Sequence, residues 1–101
     1  MRKPFVVRVD HGPAWDETRP LEQQDGWDAH AAFMDGLFAE GFVAFAGPLE
    51  GARAALLIVR AESDADVHVR LATDPWHRDG HLVLRECWPW EIRLGSLERA
   101  G

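Results

Sequence analysis

Tyrosine is absent from this 101-residue chain, and cysteine occurs once, at Cys87, so no intramolecular disulfide can form. Basic residues are outnumbered: 11 Lys and Arg stand against 17 Asp and Glu, for a formal net charge of -6. An acidic chain with scattered arginines repels phosphate backbones, which argues against a nucleic-acid partner. Long hydrophobic runs are missing too. The apolar stretch of MRKPFVVRVDHG is interrupted at Arg8 and Asp10, too soon for a signal peptide or a membrane span. The expected location is the cytoplasm, with no membrane partner. A glycine-rich phosphate loop, a serine nucleophile elbow, internal repeats and low-complexity segments are absent as well.

What the chain does contain is apolar and aromatic. Hydrophobic residues make up 47%, enough to exclude disorder as the default. The length suits one domain, residues 1–101, with a core over residues 4–94 and a tail from residue 95. Five Trp beside five Phe leave aromatic surface for a pocket or a subunit interface as well as for the core.

Alternation of Phe5, Val7 and Val9 with Val6, Arg8 and Asp10 predicts a strand over residues 4–10, ended by His11-Gly12-Pro13. A polar loop follows to about Gln24. Asp25 is placed to cap a helix with an apolar stripe of Trp27, His30 or Ala31, Met34, Leu37 and Phe38, with Phe33 beside it and Gly41 as its stop. FVAFAG, residues 42–47, and AALLIVR, residues 54–60, read as a hairpin. Ser63 and Asp66 resemble a capping box for a second helix over residues 64–73, which Asp74-Pro75 would terminate. PWHRDG reads as a loop. The final strand, HLVLRECWPWEIRL, sets Leu82, Leu84, Trp88, Trp90, Ile92 and Leu94 on one parity, with Pro89 marking an edge or a bulge.

This order is βαββαβ, the ferredoxin-like α+β arrangement: an antiparallel sheet of order 4-1-3-2 with two helices on one face. Tracing the directions brings His30, Gly47-Pro48 and Asp74-Pro75-Trp76 to one end of the sheet, with Asp10 at the end of the first strand. The strands are apolar on both parities in places, as in Leu56-Leu57-Ile58-Val59, so the uncovered face calls for a second cover. A homodimer joined through these faces is expected.

The segments WDAHAAFMDGLFAEGFVAFAGPL, LLIVRAES and TDPWHRDGHLVLRECWPWEIRL resemble the YCII-related family over about residues 27–94. In that pattern a His opens the first helix, Gly-Pro follows the second strand, Asp-Pro-aromatic follows the second helix, and Pro-Trp ends the last strand. The resemblance implies a dimeric α/β barrel related to muconolactone isomerase, and a His–Asp active site that falls on His30 and Asp74. Some members are dehydrochlorinases of chlorinated aromatics, and many have no assigned reaction. Where the family commonly carries an Arg three residues before the His, this chain has Trp27, so anion binding would fall to Arg19 or Arg53.

From the residues alone, His30 is either a core histidine bonded to backbone or a general base oriented by Asp74. Asp74 is either a turn former or that partner. Gly47 and Pro48 are a turn that could also present N–H groups to an anion. Trp27 and Trp76 either pack or wall a substrate pocket. Glu86 falls on the apolar parity, as a buried acid or, preferably, because a bulge near Pro89 re-phases the strand. His77, His81 and His11 do not complete a zinc set, Cys87 carries no nucleophile pattern, and no metal or cofactor is expected. The function expected is proton transfer — isomerase, lyase or dehydrochlorinase — on a small, ring-derived anionic metabolite. The alternative is a non-catalytic homodimer that binds a small-molecule ligand or serves a neighbouring enzyme.

Overall fold

The computed structural model describes residues 1–97 of the chain, so most of the expected tail lies outside the described residues. Its sheet has four antiparallel strands: β1 Lys3–His11, β2 Val43–Pro48, β3 Ala54–Ala61 and β4 Leu82–Pro89. They lie in the order β2-β3-β1-β4, the expected 4-1-3-2 order read from the other edge. Helices α1 Trp27–Ala39, α2 Asp64–Leu71 and α3 Pro75–Asp79 complete the α+β fold, with a single 3-10 turn at Leu21–Gln23 before α1. Among the described residues there are thus three helices, not two.

The alternation of β1 sets the layers. Phe5, Val7 and Val9 are buried and pair across the ladders with Val59, Leu57 and Ala55 on one side and Pro89, Cys87 and Leu84 on the other. Leu37 of α1, Val67 and Leu71 of α2 and Trp76 of α3 close over this face in one core. Among the described residues, no helix is long and apolar enough to cross a membrane.

The unexpected helix changes how Asp74-Pro75 is read. The dipeptide does end α2 early, but it also starts α3. Asp74 is the N-cap, its side chain accepting from Trp76 N at 3.0 Å, and Pro75 stands at the first helical position, where a missing N–H costs nothing. At α1, Asp25 does not cap. The helix starts after Gly26, whose φ of 81° is left-handed and whose Cα lies so close to Trp76 that a Cβ would stand 3.2 Å from the indole nitrogen. Phe38 falls off the buried stripe and is 54% exposed. Ser63 caps α2 as expected, accepting from Asp66 N at 3.1 Å.

In β4 the register against β1 shifts between Arg8 and Val9, leaving Arg85 as the extra residue of a bulge. The bulge lies nearer the strand's start than the expected position by Pro89. It turns Cys87 rather than Trp88 toward the core, so Glu86 is exposed and its anomaly disappears. Trp88, Trp90 and Leu94 are likewise exposed rather than core. On the face without helices, Val6, Ile58, Phe45 and Trp88 stand side by side across the sheet.

Candidate active site

Four separate parts of the chain meet at one end of the sheet: the close of β1, the first turn of α1, the β2–β3 hairpin and the start of α3. Between them lies a cavity of about 490 Å³, within the usual range of a small-molecule site. All six residues that the sequence singles out line it: Trp27, His30, Gly47, Pro48, Asp74 and Trp76.

His30 Nδ1 lies 2.9 Å from both carboxylate oxygens of Asp74, which is fully buried. A carboxylate only accepts, so the contact places a proton on Nδ1, and in the neutral ring Nε2 is then the lone-pair nitrogen. Among the described residues, Nε2 takes no hydrogen-bond partner. The imidazole lies flat on Trp76, with centroids 4.0 Å apart and planes 11° apart. Trp76 is itself fixed: its Nε1 donates to Asp25 O at 2.8 Å, His81 stacks on it at 5.3 Å and Trp15 meets it edge-on. Both the ring plane and the Nδ1 contact of His30 are therefore set by two fully buried side chains, Trp76 and Asp74, each bonded to backbone.

Several residues of the lining carry no signal in the local sequence pattern. His77, on α3, brings Nε2 to 3.9 Å from Asp74 Oδ2, so the carboxylate lies between two imidazoles. A signal for it exists all the same: an Asp N-cap with Pro at the first helical position implies a helix, and its third residue is His77. His11, weighed only as a metal ligand, stacks on Trp15 at 3.8 Å and places Nδ1 3.1 Å from Glu17 Oε2, giving the cavity a second histidine–carboxylate pair. Asp10, expected at this rim, is instead held by Arg8 and Arg85 away from the cavity lining.

Trp15, Glu17 and Arg19 come from the segment that reads as a plain polar loop. Gln24, 3% exposed, holds that loop in shape: its side chain accepts from Asp16 N and donates to Asp16 O and Arg19 O. The loop is tied down again at Gly12, where a Cβ would stand 2.2 Å from Gly80 O, too close for any side chain. Of the two arginines expected to serve an anion, Arg19 lines the cavity while Arg53 does not.

Burial holds the His77 imidazole below its ordinary value of 6.5, Asp74 opposing this and His30 adding to it. The unfolded chain therefore takes up the proton more readily than the folded one. Stability from the neutral ring is complete above its ordinary pKa and is lost as pH falls through the lower folded value. The wild-type melting temperature is expected to fall between about pH 7 and pH 5, and less steeply in His77→Asn. Equal slopes in the two proteins would rule this cause out.

Burial, then the hydrogen bond and charge of Asp64, push the Cys87 thiol up to about 12, leaving almost no thiolate at neutral pH.

The sequence matches no model of a known protein family, and it matches no curated protein.

Proposed function

We propose that this chain is a small proton-transfer enzyme of the YCII-related kind, an isomerase, lyase or dehydrochlorinase acting on a small, ring-derived anionic metabolite. The observation that carries the reading is the 2.9 Å approach of His30 Nδ1 to a fully buried carboxylate at the wall of a 490 Å³ cavity.

In this reading Nε2 of His30 removes a proton from a carbon next to an electron-withdrawing group of the substrate. Asp74 stabilises the imidazolium that forms and keeps the ring aimed. Isomerisation is completed when the imidazolium returns the proton to a different carbon. In dehydrochlorination the C–H electron pair becomes the new double bond, chloride departs with the C–Cl pair, and the proton later leaves His30 for water. Trp27 offers an apolar wall to a ring, Trp76 backs the His30 imidazole from behind, Gly47 and Pro48 form the rim, and Arg19, 3.5 Å from Asp25 Oδ1, is the arginine of the lining that a carboxylate would meet.

The test does not require the natural substrate. Small cyclic carbonyl and lactone compounds incubated with the protein in D2O are expected to take up deuterium at the acidic carbon, and His30→Gln is expected to abolish that exchange. Exchange equal in wild type and His30→Gln would defeat the reading. Ligand binding with no exchange by either protein would favour the non-catalytic module.

The same reading makes the protein a homodimer with its two open sheet faces in contact, closing a dimeric α/β barrel. Support comes from Phe45 and Trp88, 62% and 63% exposed beside Val6 and Ile58 on a face no helix covers. Light scattering is expected to give twice the 11.4 kDa chain mass for wild type and a monomer for Phe45→Glu combined with Trp88→Glu. A wild-type monomer at micromolar concentration would dismiss this assembly.

A further inference from the structure

Where α2 packs against β4, outside the cavity lining, three side chains of different metal-binding chemistry come together. Asp64 and His68 are four residues apart on α2 and so project from the same face, their Oδ1 and Nε2 atoms 3.3 Å apart. Cys87 reaches them from the helix-facing side of β4, where the Arg85 bulge has turned it inward. One oxygen, one nitrogen and one sulfur thus lie within 4.8 Å of one another. Among the described residues, no other group of three or more such side chains gathers this closely.

From this we infer that Asp64, His68 and Cys87 form a binding site for a zinc-type divalent metal ion, separate from the His30–Asp74 cavity. Tetrahedral zinc, with Zn–S of about 2.3 Å and Zn–N or Zn–O of about 2.0–2.1 Å, sets its ligand atoms about 3.3–3.6 Å apart. The carboxylate and imidazole already stand at that separation. Asp64 and His68 are more than half exposed at their side chains, so they can turn toward the sulfur without disturbing the core. Mixed sulfur, nitrogen and oxygen donors suit zinc or cobalt rather than magnesium or calcium, which prefer oxygen alone. Three protein ligands leave the fourth tetrahedral position to water or an external ligand. Binding displaces the Cys87 proton to solvent and changes no oxidation state. The ion would join α2 to the edge strand β4 and so stabilise the folded chain.

Cobalt(II) is the probe, because a thiolate ligand gives a near-ultraviolet charge-transfer band and tetrahedral geometry gives intense visible bands. Titration of the intact protein with CoCl2 is expected to produce both, with one equivalent bound. Cys87→Ser should lose the near-ultraviolet band, and His68→Gln and Asp64→Asn should each weaken binding at least about tenfold. ZnCl2 should raise the melting temperature of wild type and not of His68→Gln. His30→Gln should bind cobalt like wild type. Overturning results are the absence of a thiolate band at millimolar cobalt, or a band that His68→Gln and Asp64→Asn leave unchanged.

Discussion

Asp74→Asn is expected to lower His30-dependent proton exchange by about 10²- to 10⁴-fold while the fold survives. The two effects separate because Asp74 has two roles. As N-cap of α3 it accepts from Trp76 N, and asparagine caps nearly as well as aspartate, so α3 should form. As partner of His30 it accepts from Nδ1, and the substitution replaces one of its two acceptor oxygens with an NH2 group. With the amide oxygen held by Trp76 N, the NH2 takes the place of the second oxygen 2.9 Å from Nδ1, where it competes with the ring proton and favours the tautomer protonated on Nε2, the atom that must accept in catalysis. Asp74→Ala should differ in kind. It removes the cap and leaves a largely buried ring donor, 12% exposed at its side chain, without its carboxylate, at a cost of about 1–3 kcal/mol of stability. Activity should therefore fall in both variants, and melting temperature chiefly in alanine. Wild-type exchange in Asp74→Asn would show that the carboxylate serves only the helix.

Trp76→Ala should cost about 3–5 kcal/mol of stability, more than Asp74→Ala. The indole has no exposed surface and is the largest fully buried side chain. It also donates to Asp25 O across the approach to α1, and its faces carry His30 and His81. Trp76→Phe keeps an aromatic wall but lacks the Nε1 donor, and should lose a smaller share. Thermal denaturation of the three proteins checks the order. A Trp76→Ala protein within about 1 kcal/mol of wild type would mean that the site can collapse around the missing ring.

The meeting of His30 and Asp74 is legible in the sequence because strand and helix directions alone carry both residues to one end of the sheet. Parity does the rest for Phe5, Val7 and Val9. Hidden features share a common cause: they depend on contacts between segments rather than on a local period. Arg85 bulges against β1, and no pattern within β4 distinguishes that register from one in which Trp88 is core. Gln24 looks like any loop glutamine until its amide is seen binding Asp16 and Arg19 backbone. Asp74-Pro75 is ambiguous in itself, since the pair that forbids continuation of one helix is well suited to begin another. With α3 unforeseen, His77 is hidden too, because it lies one helical turn beyond Asp74.

The decisive measurement is the protonation pattern of the His30 ring, read from its nitrogen shifts and two-bond nitrogen–proton correlations in labelled wild-type protein at a pH where the ring is neutral. The expected spectrum has the proton on Nδ1, donated to Asp74, and a bare Nε2 whose shift responds when a ligand enters the cavity. A ring protonated on Nε2 would contradict the pairing, and with it the proposal that this imidazole is held ready to take a proton.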